Sequence, residues 1–324
     1  MQSIIYLFLT SLLGPSSVNG CLSGRHETDG SHIETQLELL GARSHSTPPT
    51  GKIALTNVRV FDGWTIGAVA RNSTHATVFG ATGFVTSPSE APEFVADVFG
   101  NGPEYMKLIA EPNGFNQATH NALVSATHAL GKVAMTHAQD CSYEVAIRSR
   151  TNGIQHVPFD IPLTEEMAQL IKQQAQYVTP TLNIGKIVTA NATLVSILSG
   201  GVNLTYQAGV AGVQQLMRAG VPLLAGSDAN DAAGSFLVGD TIGITLHREL
   251  QYLTDAGMSE VDALRAATVV RSFWHSLIGR GSIREGYRAD LLLLKPGSDP
   301  LRNISQTMDI ARVWNGGIEY VPTA

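Results

Sequence analysis

The chain is poor in cysteine, in charge and in long apolar runs, and each shortage removes a class of protein. Cys21 and Cys141 are the only 2 cysteines in 324 residues. They can pair with each other, but two are too few for a disulfide scaffold or for a cysteine-type zinc site. Charged residues make up 15%, with a formal net charge of −6 and no basic run or aromatic-basic interleaving. Nucleic acid is therefore not an expected partner. Beyond the amino terminus nothing is long and apolar enough to span a bilayer. With 44% apolar residues the chain can bury a sizeable core, and disorder is expected only at the ends.

What is present begins with a leader-like segment. Residues 1–20, "MQSIIYLFLTSLLGPSSVNG", carry an apolar stretch, then Gly-Pro-Ser-Ser, then Val18 and Gly20 at plausible cleavage positions. A basic start is lacking, but the pattern reads as a signal peptide and predicts a secreted or lumenal protein, free of the membrane after cleavage. Sequons at Asn72, Asn191, Asn203 and Asn303 fit that route. Residues 21–50, rich in Ser, Gly, Thr and Pro, read as a linker. The next segment, "KIALTNVRVFDG", alternates with β-branched residues and ends in Asp-Gly, as a strand entering a turn does.

From about residue 90 helix and strand alternate. "SEAPEFVADVFGNG" leads into "YMKLIA", "QATHNALVSATHALG" into "KVAMTHA", and "SYEVAIRSRTNG" into "IQHVPF"; "TEEMAQLIKQQ" leads into "YVTPTLNI" and "TYQAGVAGVQQLMRAG" into "VPLLAGSDAN". Five strands, each preceded by a helix and four of those helices stopping at or near Gly, predict an α/β fold with a parallel sheet and right-handed crossovers. Chemistry in such sheets gathers where strands run out into loops. That edge carries Lys107 in the first strand, His137 closing the second, His156 in the third and Asp228 closing the fifth. Two imidazoles and a carboxylate are ordinary ligands for zinc or another divalent metal. Each residue also has an ordinary structural reading: a strand histidine is more often hydrogen-bonded in the core, Gly-Ser-Asp is often a helix cap, and a strand lysine usually keeps its head in water. His120 and His128 read as packing or surface residues, as do His247 and His275, and Asn230 either meets substrate or shapes its loop.

The stretches "YMKLIA", "HALGKVAMTHA", "TNGIQHVPFD", "RAGVPLLAGSDAN", "LHRELQYLTDAGMSEVDALRAATVV" and "GSIREGYRADLLLLKPGSDPLRNI" together resemble the amidohydrolase superfamily, in its imidazolonepropionase-like and prolidase-like branch, which includes secreted enzymes that cleave amide bonds in mycotoxins. The resemblance covers most of residues 85–324. It implies a TIM-type (β/α) barrel over residues 76–280. It also implies a small β-domain in which residues 51–63 pair with residues 281–324. Lys107 would be the carbamylated lysine that bridges two metals, with His137 and His156 as ligands. Asp228 would be both a ligand and the group that moves protons. A lysine in a barrel mouth beside a metal can lose its proton and take up carbon dioxide as an anionic oxygen ligand. The activity implied is hydrolysis of an amide or other C–N bond in a small molecule or dipeptide-like substrate by metal-activated water.

The family's first strand carries His-x-His, two ligands of the first metal, and no two histidines of this chain are separated by a single residue. After "VFDG" the sequence passes through "WTIGAVARNSTHATVFGATGFVTSP" to the region before the fourth barrel strand, with His75 the one histidine in that gap. The expected architecture is therefore an incomplete barrel, with edges that a second copy could cover in a homo-oligomer. One or two divalent ions, zinc first, are expected. Two alternatives stand beside hydrolysis: a non-hydrolytic relative that binds or regulates, and a mononuclear lyase or isomerase acting on a small metabolite.

Overall fold

The computed structural model describes residues 4–5, 67–71, 73–77, 83–138, 142–199, 202–228 and 243–320. Short β1 (Ile4–Ile5) and β2 (Gly67–Ala68) come first, then the one-turn helix α1 (Thr74–Thr77). An alternating run follows: α2 (Ala91–Gly100), β3 (Tyr105–Ala110), α3 (Gln117–Ala129), β4 (Val133–Ala138), α4 (Tyr143–Arg148), β5 (Gly153–Gln155), α5 (Glu165–Gln173) and β6 (Tyr177–Thr179). Five helices come next: α6 (Leu182–Thr189), α7 (Ala192–Ser199), α8 (Tyr206–Ala219), α9 (Ile244–Asp255) and α10 (Glu260–Ala267). The chain closes on α11 (Val269–Trp274), β7 (Leu291–Leu294), β8 (Ile310–Asn315) and β9 (Ile318–Tyr320).

The helices begin where local chemistry satisfies their first amides. The side chain of Asn116 accepts from the Thr119 amide at 2.9 Å, Thr164 from Met167 at 3.2 Å, Thr205 from Ala208 at 3.3 Å and Ser259 from Asp262 at 3.1 Å. Gly220, with φ +71°, stops α8 in the left-handed conformation that costs glycine least.

The larger sheet is parallel, in the order β2-β3-β4-β5-β6. Single parallel bridges extend it at both ends, Val69 to Phe84 and Val178 to Leu223. The expected fifth strand of "VPLLAGSDAN" is thus reduced to one bridge. The gap segment, where an incomplete barrel was expected, supplies β2 and the Val69–Phe84 bridge, so the flank of β3 is paired rather than bare. On β3 the even residues Met106 and Leu108 are fully buried with Val95 and Val98 of α2 and Leu123 and Val124 of α3. That layering follows from the strand's period of two and leaves Lys107 and Ile109 on the opposite face. A second, larger core joins Ile154 and Val178 to Ile171, Val213, Leu216, Leu250 and Leu253 from the later helices. Together these layers form a partial TIM-type barrel.

The small sheet is antiparallel, in the order β1-β7-β8-β9. It docks on the barrel through Leu292 and Leu294, which belong to the larger core. The partner expected for β7, residues 51–63, lies outside the described residues, as do residues 21–50, Cys21 and Cys141. Ile4 and Ile5, from the segment read as a leader, pair with Leu293 and Leu292 instead. Among the described residues no helix is long and apolar enough to cross a membrane. Asn191, Asn203 and Asn303 are exposed, and Asn72 lies outside the described residues.

Candidate metal centre

Strand register decides what meets at the carboxyl edge of the parallel sheet. Lys107 pairs with Gly67 on one side and Met135 on the other, and His137 pairs with Ile109 and Gln155. Lys107 and His137 therefore occupy the same face of adjacent strands, both half-buried. His156 is the first residue after β5 rather than part of it, and is buried.

The two histidines meet directly. His156 Nε2 lies 2.8 Å from His137 Nδ1, with ring centroids 4.5 Å apart. On the other side of its ring, His156 Nδ1 is 2.6 Å from Thr181 Oγ1. The Thr181 hydroxyl donates its one proton to the carbonyl of Pro180 at 2.8 Å, so it accepts from His156 Nδ1–H. This tautomer leaves the lone pair of His156 on Nε2, aimed at His137. Burial pushes His156 down to about 4; the nearby charges of Lys107 and His75 act the same way and Asp228 opposes them. The imidazole is therefore neutral at neutral pH, the form that binds metals.

Three residues here hold positive φ angles, uncommon outside glycine. His156 has φ 74°, Thr181 φ 53° and Asp228 φ 53°. For β-branched Thr181 the left-handed region is a true outlier. Strain of this kind costs of order 1–3 kcal/mol per residue and collects at functional sites. Asp228 is exposed and lies past the Leu223 bridge rather than at the end of a strand, yet its charge reaches His156.

Two further residues belong to this place. His75, at the second position of α1, sets its ring 4.6 Å from that of His137. Glu111, directly after β3 and on the Lys107 face by parity, holds His75 with both oxygens. Its Oε1 accepts the His75 amide at 2.9 Å and its Oε2 accepts Nδ1–H at 2.9 Å. Burial alone would raise the carboxyl, but the hydrogen bonds and charge of His75, with help from Ser73, hold Glu111 below the usual carboxylate range. His75 carried only a weak sequence signal, as the single histidine of the gap. Glu111 gave none, although its position four residues after Lys107 places both on one strand face.

The other histidines behave as expected of packing or surface groups. His120 is a buried residue of α3 with Nε2 3.1 Å from Thr136 Oγ1; His128 meets Asn152, His247 meets Thr307, and His275 packs edge-on to Tyr105. Asn230 lies outside the described residues.

The fit to a metal is specific in what it allows. Two nitrogens sharing one tetrahedral zinc lie about 3.4 Å apart, against 2.8 Å here between His137 and His156. A small ring movement, and a shift of the His137 proton from Nδ1 to Nε2, separate the two arrangements. Among the described residues no three His, Cys, Asp or Glu side chains are grouped to hold an ion. Of the ligands that the resemblance names, Lys107 stands on the same face of the neighbouring strand. His137 and His156 can serve as two donors to one divalent ion, and among the described residues no third His, Cys, Asp or Glu joins them.

The amidohydrolase family pattern matches residues 86–318. This chain belongs to the amidohydrolase family. Solved structures of similar fold include a Xaa-Pro dipeptidase with bound methionine in its active site, at 22% identity and TM-score 0.62, covering 73% of this chain and 59% of that one. Aspergillus niger ochratoxinase aligns at 20% identity and TM-score 0.58, covering 73% and 55%. Molinate hydrolase aligns at 19% and 0.59, covering 72% and 55%. At these identities the likeness is one of fold, and this amidohydrolase spans less than two thirds of the length of each. No curated protein sequence matches it. The family generally uses divalent metals.

Proposed function

We propose that this amidohydrolase cleaves an amide or other C–N bond of a small molecule or dipeptide-like substrate, using one divalent metal, zinc first. The observation that carries the proposal is the approach of His156 Nε2 to His137 Nδ1 at 2.8 Å, with the His156 lone pair set by Thr181. His137, His156 and carbamylated Lys107 would hold the ion. Once bound it would supply an acidified water and a polarised carbonyl. Asp228, exposed at the mouth and electrostatically coupled to His156, would accept a proton from the attacking water and return it to the leaving nitrogen. His75, oriented by Glu111, lies beside His137 and would narrow the site on that flank.

Passage through the secretory pathway belongs to the same reading, supported by the exposed sequons at Asn191, Asn203 and Asn303. A non-hydrolytic binding role is the second reading, favoured by the absence, among the described residues, of a grouped set of three conventional ligands.

Metal content of the purified chain, measured beside Lys107→Ala in bicarbonate-containing buffer, separates these readings. One ion per chain, lost in the variant, is the expected result. No metal in the folded wild-type protein overturns the hydrolase reading and leaves the binding role.

A further inference from the structure

The first turn of α6 is capped from a distance. The residue at its N-cap, Thr181, cannot cap it locally, because it sits in the left-handed conformation with its hydroxyl already shared between Pro180 and His156. Glu249, fully buried on α9, does so instead. Its Oε1 accepts the Leu182 amide at 3.0 Å and its Oε2 the Asn183 amide at 2.7 Å. A side chain 66 or 67 residues further along the chain thus gathers the first two amides of the helix.

The consequence runs outward to the site. Thr181 holds a φ that its β-branched side chain resists, and the loop between β6 and α6 has no local cap to retain it there. The carboxyl of Glu249 fixes the amides on one side of Thr181, and the Thr181 hydroxyl fixes Nδ1 of His156 on the other. Tyr143 Oη, donating to the His156 carbonyl at 3.3 Å, restrains the backbone of the same histidine.

We infer that Glu249 is a positioning residue for this centre: through Thr181 it sets the ring orientation and tautomer of His156. The inference rests on the metal-centre reading for its functional meaning, but the orientation of His156 can be read without metal. Partners that orient a ligating histidine typically change metal affinity 10- to 100-fold when removed. Nothing in the five-strand pattern of the sequence points to Glu249, which lies in a helix well removed from every candidate ligand.

The test uses the full chain with ¹⁵N-labelled histidine. In metal-free wild-type protein, His156 is expected to give the nitrogen shifts of an Nδ1–H tautomer with a slowly exchanging ring proton. Glu249→Ala should abolish that signature, speed amide exchange at Leu182 and Asn183, and weaken zinc binding about 10- to 100-fold in chelator competition. Thr181→Val should reproduce the loss of the ring signal while leaving the Leu182 and Asn183 amides protected, and Thr181→Ser should restore the ring signal. If Glu249→Ala does not fold, Glu249→Gln, which keeps the volume and one acceptor oxygen, is read in the same way and should show a smaller loss of the same sign. A folded Glu249 variant whose His156 shifts and amide protection match wild type overturns the inference. Failure of wild-type protein to bind zinc would count against the metal-centre reading alone, because the nitrogen shifts decide the role of Glu249 without it.

Discussion

Acidification should destabilise this protein through His120, in a pH range where most carboxylates are still ionised. His120 is 0% exposed. Its tautomer follows from its neighbours: Thr151 donates to the Ala134 carbonyl at 2.9 Å, Thr136 donates to Thr151 at 3.0 Å, and Thr136 therefore accepts from His120 Nε2–H at 3.1 Å. The second nitrogen, Nδ1, is buried without a partner. Protonating it would bury a charge and an unsatisfied N–H against Phe115, whose ring lies 6.1 Å away. Burial accordingly pushes His120 from 6.5 down to about 4. A histidine held neutral in the fold contributes stability that is complete above pH 6.5 and is lost as pH falls from there towards 4. At 1.36 kcal/mol per pKa unit the full loss is about 3 kcal/mol, of which about 2 is gone by pH 5. Urea unfolding of wild type and His120→Gln between pH 7.5 and 4.5 measures it. The amide of glutamine can still donate to Thr136 but does not titrate, so the pH slope of the variant should be shallower by close to one proton across pH 6.5 to 4.5. Equal slopes would refute the argument, since they would mean that the imidazole already finds a proton acceptor in the fold.

Two further predictions probe the packing that holds the site. A Cβ added at Gly153 would fall 2.1 Å from Cζ and 2.4 Å from Oη of the buried Tyr177 ring, so Gly153→Ala should cost about 1–3 kcal/mol; Gly100→Ala, where nothing lies within 4 Å, should leave the urea midpoint nearly unchanged, and equal midpoints for the two would contradict the clash. Glu111→Gln leaves one N–H of His75 without its charged acceptor and should cost about 1–3 kcal/mol at pH 7; a thermal melt indistinguishable from wild type would show that Glu111 does not hold His75 in solution.

The alternating part of the architecture was legible in the order of residues alone. The helices expected between residues 91 and 219 appear where capping residues and terminal glycines placed them, because caps and apolar periodicity are local and act within a few residues. The small carboxy-terminal sheet was expected from the family resemblance, and β7, β8 and β9 lie within residues 281–324. Residues 221–225 and the gap after "VFDG" were less legible. A single bridge at Leu223 and a two-residue strand at Gly67–Ala68 leave too few alternating positions to stand out.

The sequence by itself determined which chemical groups are available and that Lys107 and His137 stand on neighbouring strands, since order along the chain and a period of two settle both. Tertiary structure alone decided the rest. It brought His75 onto Glu111 across 36 residues, turned His156 Nε2 onto His137, and carried Glu249 to the start of α6. Those pairings depend on how helices and loops pack over the sheet edge, on strained backbone angles at His156 and Thr181, and on which nitrogen keeps its proton. No local pattern encodes such choices, because each is set by the partner that burial leaves within reach.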